Sequence, residues 1–306
     1  MKVSINPSYF CNFRCDFCYL KKEQLGDTKK IELSQLENLL SQIPNIEYID
    51  LYGGEIGALK KNYFYGLKDS IRKFYHDEIN IITNFSMLHE GFFDDDVYLS
   101  VSYDFEAREK SDKVFHNMLM SPVKIAVLIL ASQSVIKMDV DKMINKLNIC
   151  SSVDSVEIKP YSINQANSHS VTHKQFEEFV IKWLESSIPK KFDFINKIRI
   201  EESYKKLYNA FSDDHIYITP NGKFGVLEFD IDDKEYFLEL DSYNDYLKWA
   251  DNEKINLSPI CKSCDYHGTC LTEHYRYVKD LNNSCNGYKG LLDYYARMAY
   301  ETRDLS

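Results

Sequence analysis

From residue 3 to residue 160 the chain repeats one pattern: a short apolar run, then a longer stretch with apolar residues three and four apart. The short runs, at 3–5, 48–52, 79–83, 97–103, 123–131 and 153–160, have strand length. Between them, residues 31–43 set Leu33, Leu36, Leu39, Leu40 and Ile43 at helical spacing, and 63–76 and 139–147 also read as helices. Ser34 and Glu37 stand at capping-box spacing. The run 123–131 is nearly continuous and predicts a strand buried on both faces. Six strands separated by helices predict parallel βαβ units. The expected fold class is α/β: a partial (β/α)6 TIM-like barrel with a small C-terminal α+β domain, divided as residues 1–200 and 201–306. Functional residues should then follow the strands, at their C-terminal ends.

Past Pro160 the pattern changes. Residues 172–187 predict an amphipathic helix, and 188–209 are polar and helical in places. Two alternating runs flank Pro220-Asn221-Gly222 and predict a hairpin over 216–226. A strand at 237–240 and a short helix at 245–250 follow.

The chemistry is concentrated in cysteines. Cys11, Cys15 and Cys18 form C-x3-C-x2-C directly after the first strand, with Phe17 just before the third cysteine. Iron–sulfur cubes are usually held by four thiolates, so three leave one iron open to a ligand. A zinc loop would usually pair C-x2-C with a second pair, and a disulfide framework suits short secreted chains. Gly53-Gly54-Glu55 follows the second strand, Asn84 the third, and Ser102 and Asp104 end the fourth.

The triplet with its aromatic residue resembles the signature of the radical S-adenosylmethionine (SAM) enzymes. That resemblance implies a [4Fe-4S] cluster on Cys11, Cys15 and Cys18 whose open iron chelates SAM. It further implies cleavage of SAM to a 5'-deoxyadenosyl radical that abstracts hydrogen from a substrate. Gly53-Gly54-Glu55 resembles the family's glycine-glycine-glutamate motif, which gathers the SAM ammonium group. Many relatives carry proline next, whereas Ile56 stands here. Thr83-Asn84-Phe85 resembles the threonine-asparagine-glycine stretch with Phe85 in place of glycine. Ser100 to Asp104 resembles the fourth-strand serine-x-aspartate run, implying that Ser102 and Asp104 contact the SAM ribose or carboxylate.

A second set, Cys261, Cys264, Cys270 and Cys285, has the spacing C-x2-C-x5-C followed by a cysteine fifteen residues on. On spacing alone, four thiolates suit zinc or a cube. With the hairpin before it, the tail resembles the SPASM/twitch auxiliary-cluster domain of radical SAM enzymes. Full-length relatives hold two cubes there. This chain lacks the hairpin cysteines and has His274 where a further one would stand. The resemblance therefore implies one auxiliary [4Fe-4S] cluster, fully ligated by the four cysteines. Cys150 is left over, and its place before the sixth strand predicts a buried structural thiol.

Composition narrows the partners. The chain has 306 residues and a formal charge of -10, which disfavours nucleic acid. No apolar run is long enough for a membrane span. The start of the chain, entering a strand at once, predicts neither a targeting peptide nor an N-terminal leader-recognition domain. Cysteines at ligand spacing predict a reducing cytoplasm. The resemblance implies a maturase that crosslinks, oxidises or epimerises a ribosomally made peptide. It would be served by an external donor such as a flavodoxin or ferredoxin and by a separate leader-recognition protein. A small-molecule tailoring dehydrogenase is the alternative within the family. A non-catalytic iron–sulfur or zinc scaffold is the alternative outside it.

Overall fold

The computed structural model describes residues 1–161, 164–207, 215–228, 234–255, 259–270, 285 and 287–303. His274 of the second cysteine region lies outside the described residues. In chain order the elements are β1 (Lys2–Ile5), α1 (Lys22–Gly26), α2 (Leu33–Leu40), β2 (Tyr48–Leu51), α3 (Lys61–Arg72), β3 (Ile79–Thr83), β4 (Val97–Ser102) and α4 (Ser111–Leu119). Then come β5 (Ile125–Leu130), α5 (Val140–Asn148), β6 (Val153–Lys159), α6 (His173–Glu185), β7 (Asp193–Phe194) and α7 (Ile195–Tyr204). The chain closes with β8 (His215–Ile218), β9 (Phe224–Leu227), β10 (Phe237–Leu240), α8 (Tyr243–Ile255), α9 (Pro259–Lys262) and α10 (Lys289–Arg303).

Strands β1 to β6 lie side by side and parallel, each reached through helical chain, which is the partial barrel expected. The hairpin also forms: β8 and β9 are antiparallel, with Gly222 at φ +72° in the turn. It does not make a sheet of its own. β8 pairs parallel with β1, Lys2 beside His215 and Ile5 beside Ile218, so one sheet runs β10-β9-β8-β1-β2-β3-β4-β5-β6-β7.

Successive side chains on a strand point to opposite faces. Val3, Ile5, Ile49, Leu51, Ile79, Ile81, Leu99, Val101, Val127, Ile129, Val156 and Ile158 share one face and are buried in a common core with the helices. The other face is polar. Across it, Ser4 sits beside Asp50 and Asp50 beside Asn80, with Glu157 and Lys159 on β6. A TIM barrel normally fills its interior with branched apolar side chains. Here the interior wall carries hydroxyls, amides and charges, which suits a chamber.

Two expectations change against this frame. β5 is not buried on both faces: Ile125, Val127 and Ile129 are buried while Ala126, Leu128 and Leu130 are only half-buried. Its continuous apolar run arises because Ala126, Leu128 and Leu130 give the chamber wall an apolar strip at this strand. Nor does Ser34 cap α2. Glu32 precedes the first turn, and Glu37 instead accepts from Ser70 Oγ at 2.8 Å and pairs with Lys73 at 2.7 Å, tying α2 to α3. Among the described residues no helix is long and apolar enough to cross a membrane.

Candidate functional site

The loop after β1 folds back under the turn after β2. The Gly54 N–H donates to Ser8 O at 3.1 Å and the Glu55 N–H to Phe10 O at 2.7 Å. A Cβ on Gly54 would stand 2.1 Å from Phe10 O, and one on Gly53, at φ +135°, 2.7 Å from Asn6 Oδ1. The glycines therefore admit the backbone of the cysteine loop.

Each cysteine of the loop is only partly exposed, and each sulfur receives a donor. Phe13 N–H points at Cys11 Sγ (3.4 Å) and Leu20 N–H at Cys18 Sγ (3.4 Å). Asn84 Nδ2, from the end of β3, lies 3.8 Å from Cys11 Sγ and donates to Asn12 Oδ1 at 2.9 Å. Arg108 Nη1 lies 3.9 Å from Cys15 Sγ. Burial pushes the Cys11 and Cys15 thiols up to about 11, with Cys15 and Cys18 adding to the rise at Cys11 and Cys18 adding to it at Cys15. A cationic iron–sulfur centre relieves both penalties, because it is the thiolate that binds metal. The donor set fits a three-cysteine cluster.

Glu55 is buried and fully engaged. Its Oε1 accepts from Gly57 N–H (2.8 Å) and Thr83 Oγ1 (2.5 Å), and its Oε2 from Asn84 N–H (2.8 Å). Burial raises its carboxyl above the ordinary value, and these three donors oppose the rise. Glu55 thus clips the turn after β2 to the end of β3. Glu55→Gln would set an NH2 against the Asn84 N–H. Stranding that buried donor should cost about 1–3 kcal/mol, read as a lower urea midpoint.

Phe85 takes φ +55° immediately after Asn84, so the left-handed turn is kept without glycine. Its ring is fully buried and stacks on Phe92 at 6.3 Å, which offsets the strain. At the end of β4, Ser102 is partly exposed on the chamber face. Asp104 is fully buried: Oδ1 accepts from Leu130 N–H (2.6 Å), and Oδ2 from Arg108 Nε (2.8 Å) and Nη2 (2.5 Å). The Arg108 guanidinium lies 5.3 Å from the centre of the Phe17 ring. Next to it, Glu109 accepts from Arg14 N–H at 2.7 Å and Lys110 stands over Phe13. Sequence reading missed the 108–110 clamp. The one trace was the i,i+4 spacing of Asp104 and Arg108.

Below this end of the sheet, Ser4 Oγ donates to Asp50 Oδ2 (3.0 Å) and lies 2.9 Å from His215 Nε2. Asp50 Oδ1 is buried with no partner, and burial lifts the carboxyl to about 7. The folded chain therefore keeps a proton that the unfolded chain releases near its ordinary value. Stability should fall as pH rises from about 4 to about 7 and level off above, a loss of up to about 4 kcal/mol. Asp50→Asn should flatten that slope and raise the melting temperature at pH 8, measured by thermal denaturation at pH 5 and 8.

Cys261, Cys264, Cys270 and Cys285 line one cavity together with Tyr266, His267 and Lys289. Gly287 N–H points at Cys285 Sγ (3.2 Å) and Tyr288 N–H at Cys270 Sγ (3.3 Å). Among the described residues no three Cys, His, Asp or Glu side chains meet closely enough to hold a single ion. A cube is bound at its corners and takes thiolates that stand further apart. The cavity is fastened to the barrel: Gly290 N–H donates to Glu177 of α6 (2.9 Å), Ser203 of α7 donates to Thr269 O, and Tyr204 packs on Tyr295 of α10. Cys150 is buried elsewhere, 3.2 Å from Ser152 Oγ.

No family model matches the sequence, and no curated protein is detectably similar to it. Solved structures do share the fold. Native anSMEcpe with bound AdoMet superposes with a TM-score of 0.69 at 12% identity, covering 100% of each chain. The same protein with AdoMet and the Cp18Cys peptide gives 0.68 at 12% identity, over 100% of this chain and 99% of that one. Streptococcus suis SuiB bound to S-adenosylmethionine gives 0.63 at 14% identity, over 92% of this chain and 76% of that one. The chain has the radical SAM fold, as its cysteine loop implied.

Proposed function

We propose that the protein is a radical SAM enzyme that abstracts hydrogen from a ribosomally made peptide. The observation that carries the reading is the convergence of residues following three strands, β2, β3 and β4, on the cysteine loop after β1. Gly54 and Glu55 hydrogen-bond its backbone, Asn84 reaches Cys11, and Arg108 reaches Cys15. Cys11, Cys15 and Cys18 would hold a [4Fe-4S] cluster, and Ser102 on the chamber face would contact SAM. When bound, the cluster and SAM together supply a 5'-deoxyadenosyl radical. The protein's own residues position the thiolates, exclude water behind Phe13 and Phe17, and present a polar chamber beneath.

A peptide substrate is favoured because anSMEcpe has been solved with a peptide and SuiB with its precursor peptide SuiA. Cys261, Cys264, Cys270 and Cys285 would hold the auxiliary cluster as an electron acceptor. All eight cysteines are free thiols, which suits a reducing cytoplasm and delivery of electrons by a flavodoxin or ferredoxin. The test is anaerobic co-expression with the short peptides encoded beside its gene, read by mass spectrometry. A peptide whose mass changes only when Cys11, Cys15 and Cys18 are intact supports the reading. Unmodified peptides, with an alcohol or sugar oxidised instead, would replace it with the small-molecule reading.

A further inference from the structure

We infer that Arg108 sets the reduction potential of the N-terminal cluster by placing a fixed positive charge on Cys15, an inference that rests on the cluster assignment proposed above. The three sulfurs are not treated alike. Cys11 and Cys18 receive neutral backbone donors, from Phe13 and Leu20. The donor to Cys15 Sγ is a guanidinium nitrogen, Nη1 of Arg108, at 3.9 Å. Hydrogen bonds to sulfur and local charge are among the quantities that set an iron–sulfur potential.

The charge is built in. Both Nε and Nη2 of Arg108 are held by Asp104 Oδ2, which leaves Nη1 for the sulfur. Asp104 is itself anchored by Leu130 N–H and is fully buried. The Arg108 side chain is only 15% exposed, so solvent and salt screen it weakly. Phe17 supports the guanidinium face at 5.3 Å. The turn that brings Arg108 back over the loop passes through Phe105 at φ +53°, a strained backbone for a residue with a side chain. A surface arginine would need none of these supports.

Adding an electron makes the cluster more negative, so a cation beside one thiolate favours the reduced form. Removing it should make reduction harder. Arg108 is on this account a positioning and tuning residue, acting through Cys15.

The test is a mediated redox titration of the anaerobically reconstituted full chain, without SAM, followed by electron paramagnetic resonance. Arg108→Met keeps bulk and loses charge. At the wild-type midpoint its N-terminal cluster should show a reduced-to-oxidised ratio about tenfold lower, a fall of about 59 mV for a one-electron couple. Arg108→Lys, which keeps the charge and loses the fork, should fall by less. The C-terminal cluster in the same sample should not move. An unchanged N-terminal potential in Arg108→Met with weaker SAM binding would assign the guanidinium to SAM and overturn the inference. Equal shifts in both clusters would also overturn it, as would equal falls in the Met and Lys variants. If Arg108→Met loses the cluster, Arg108→Gln, also uncharged, decides: a fall larger than that of Arg108→Lys supports the inference and no fall overturns it. A wild type holding four irons on the C-terminal cysteines alone would instead remove the cluster assignment itself.

Discussion

Replacing Cys11, Cys15 and Cys18 together with alanine should abolish formation of 5'-deoxyadenosine from SAM and halve the iron, from about eight to about four atoms per chain. The effect is expected to be total because, on the proposed function, SAM is bound and reduced at the open iron of this cluster. Cys261, Cys264, Cys270 and Cys285 line a cavity fastened to α6 and α7 and should keep their own cube. The variant should also stay folded, since Cys11 and Cys15 are only half-buried where they pack against the core. Iron analysis with absorption spectra checks the first half, and circular dichroism the second. A triple variant that still cleaved SAM would place the chemistry elsewhere.

Gly54→Ala should be nearly as damaging without touching a ligand. The added carbon would stand 2.1 Å from Phe10 O and 2.6 Å from Tyr9 C, both backbone atoms. No rotamer change relieves such a contact, so the cysteine loop must move. Overpacking of this kind costs about 1–3 kcal/mol or more. The expected result is loss of the N-terminal cluster, with the C-terminal one retained and SAM cleavage gone. Gly26→Ala serves as the control, because nothing lies within 4 Å of that position, and it should leave iron and stability within about 0.5 kcal/mol of wild type.

What the sequence revealed divides by the range of the forces involved. β3 was legible to the residue because its apolar run ends sharply at the Thr83-Asn84 turn. The two cysteine sets were legible because ligand spacing is local. α10 went unread, since its apolar Leu291 and Leu292 are buried only by packing between α10 and its neighbours α6 and α7. The continuation of the sheet from β1 into β8 joins residues more than two hundred positions apart, and no pattern within either strand announces it. Arg108 left no more than its i,i+4 spacing from Asp104 for the same reason: an arginine in a charged loop acquires a role only when the fold carries it to Cys15. Glu55 and the glycines were found by motif, yet their contacts are with Thr83, Asn84 and the cysteine loop, which only the assembled strands bring together.

The most direct test of the account is to incubate the anaerobically reconstituted full chain with SAM and dithionite and to quantify 5'-deoxyadenosine by chromatography. The account predicts 5'-deoxyadenosine and methionine from the wild type and neither from the triple cysteine variant. Intact SAM in the presence of wild-type protein carrying both reduced clusters would contradict it.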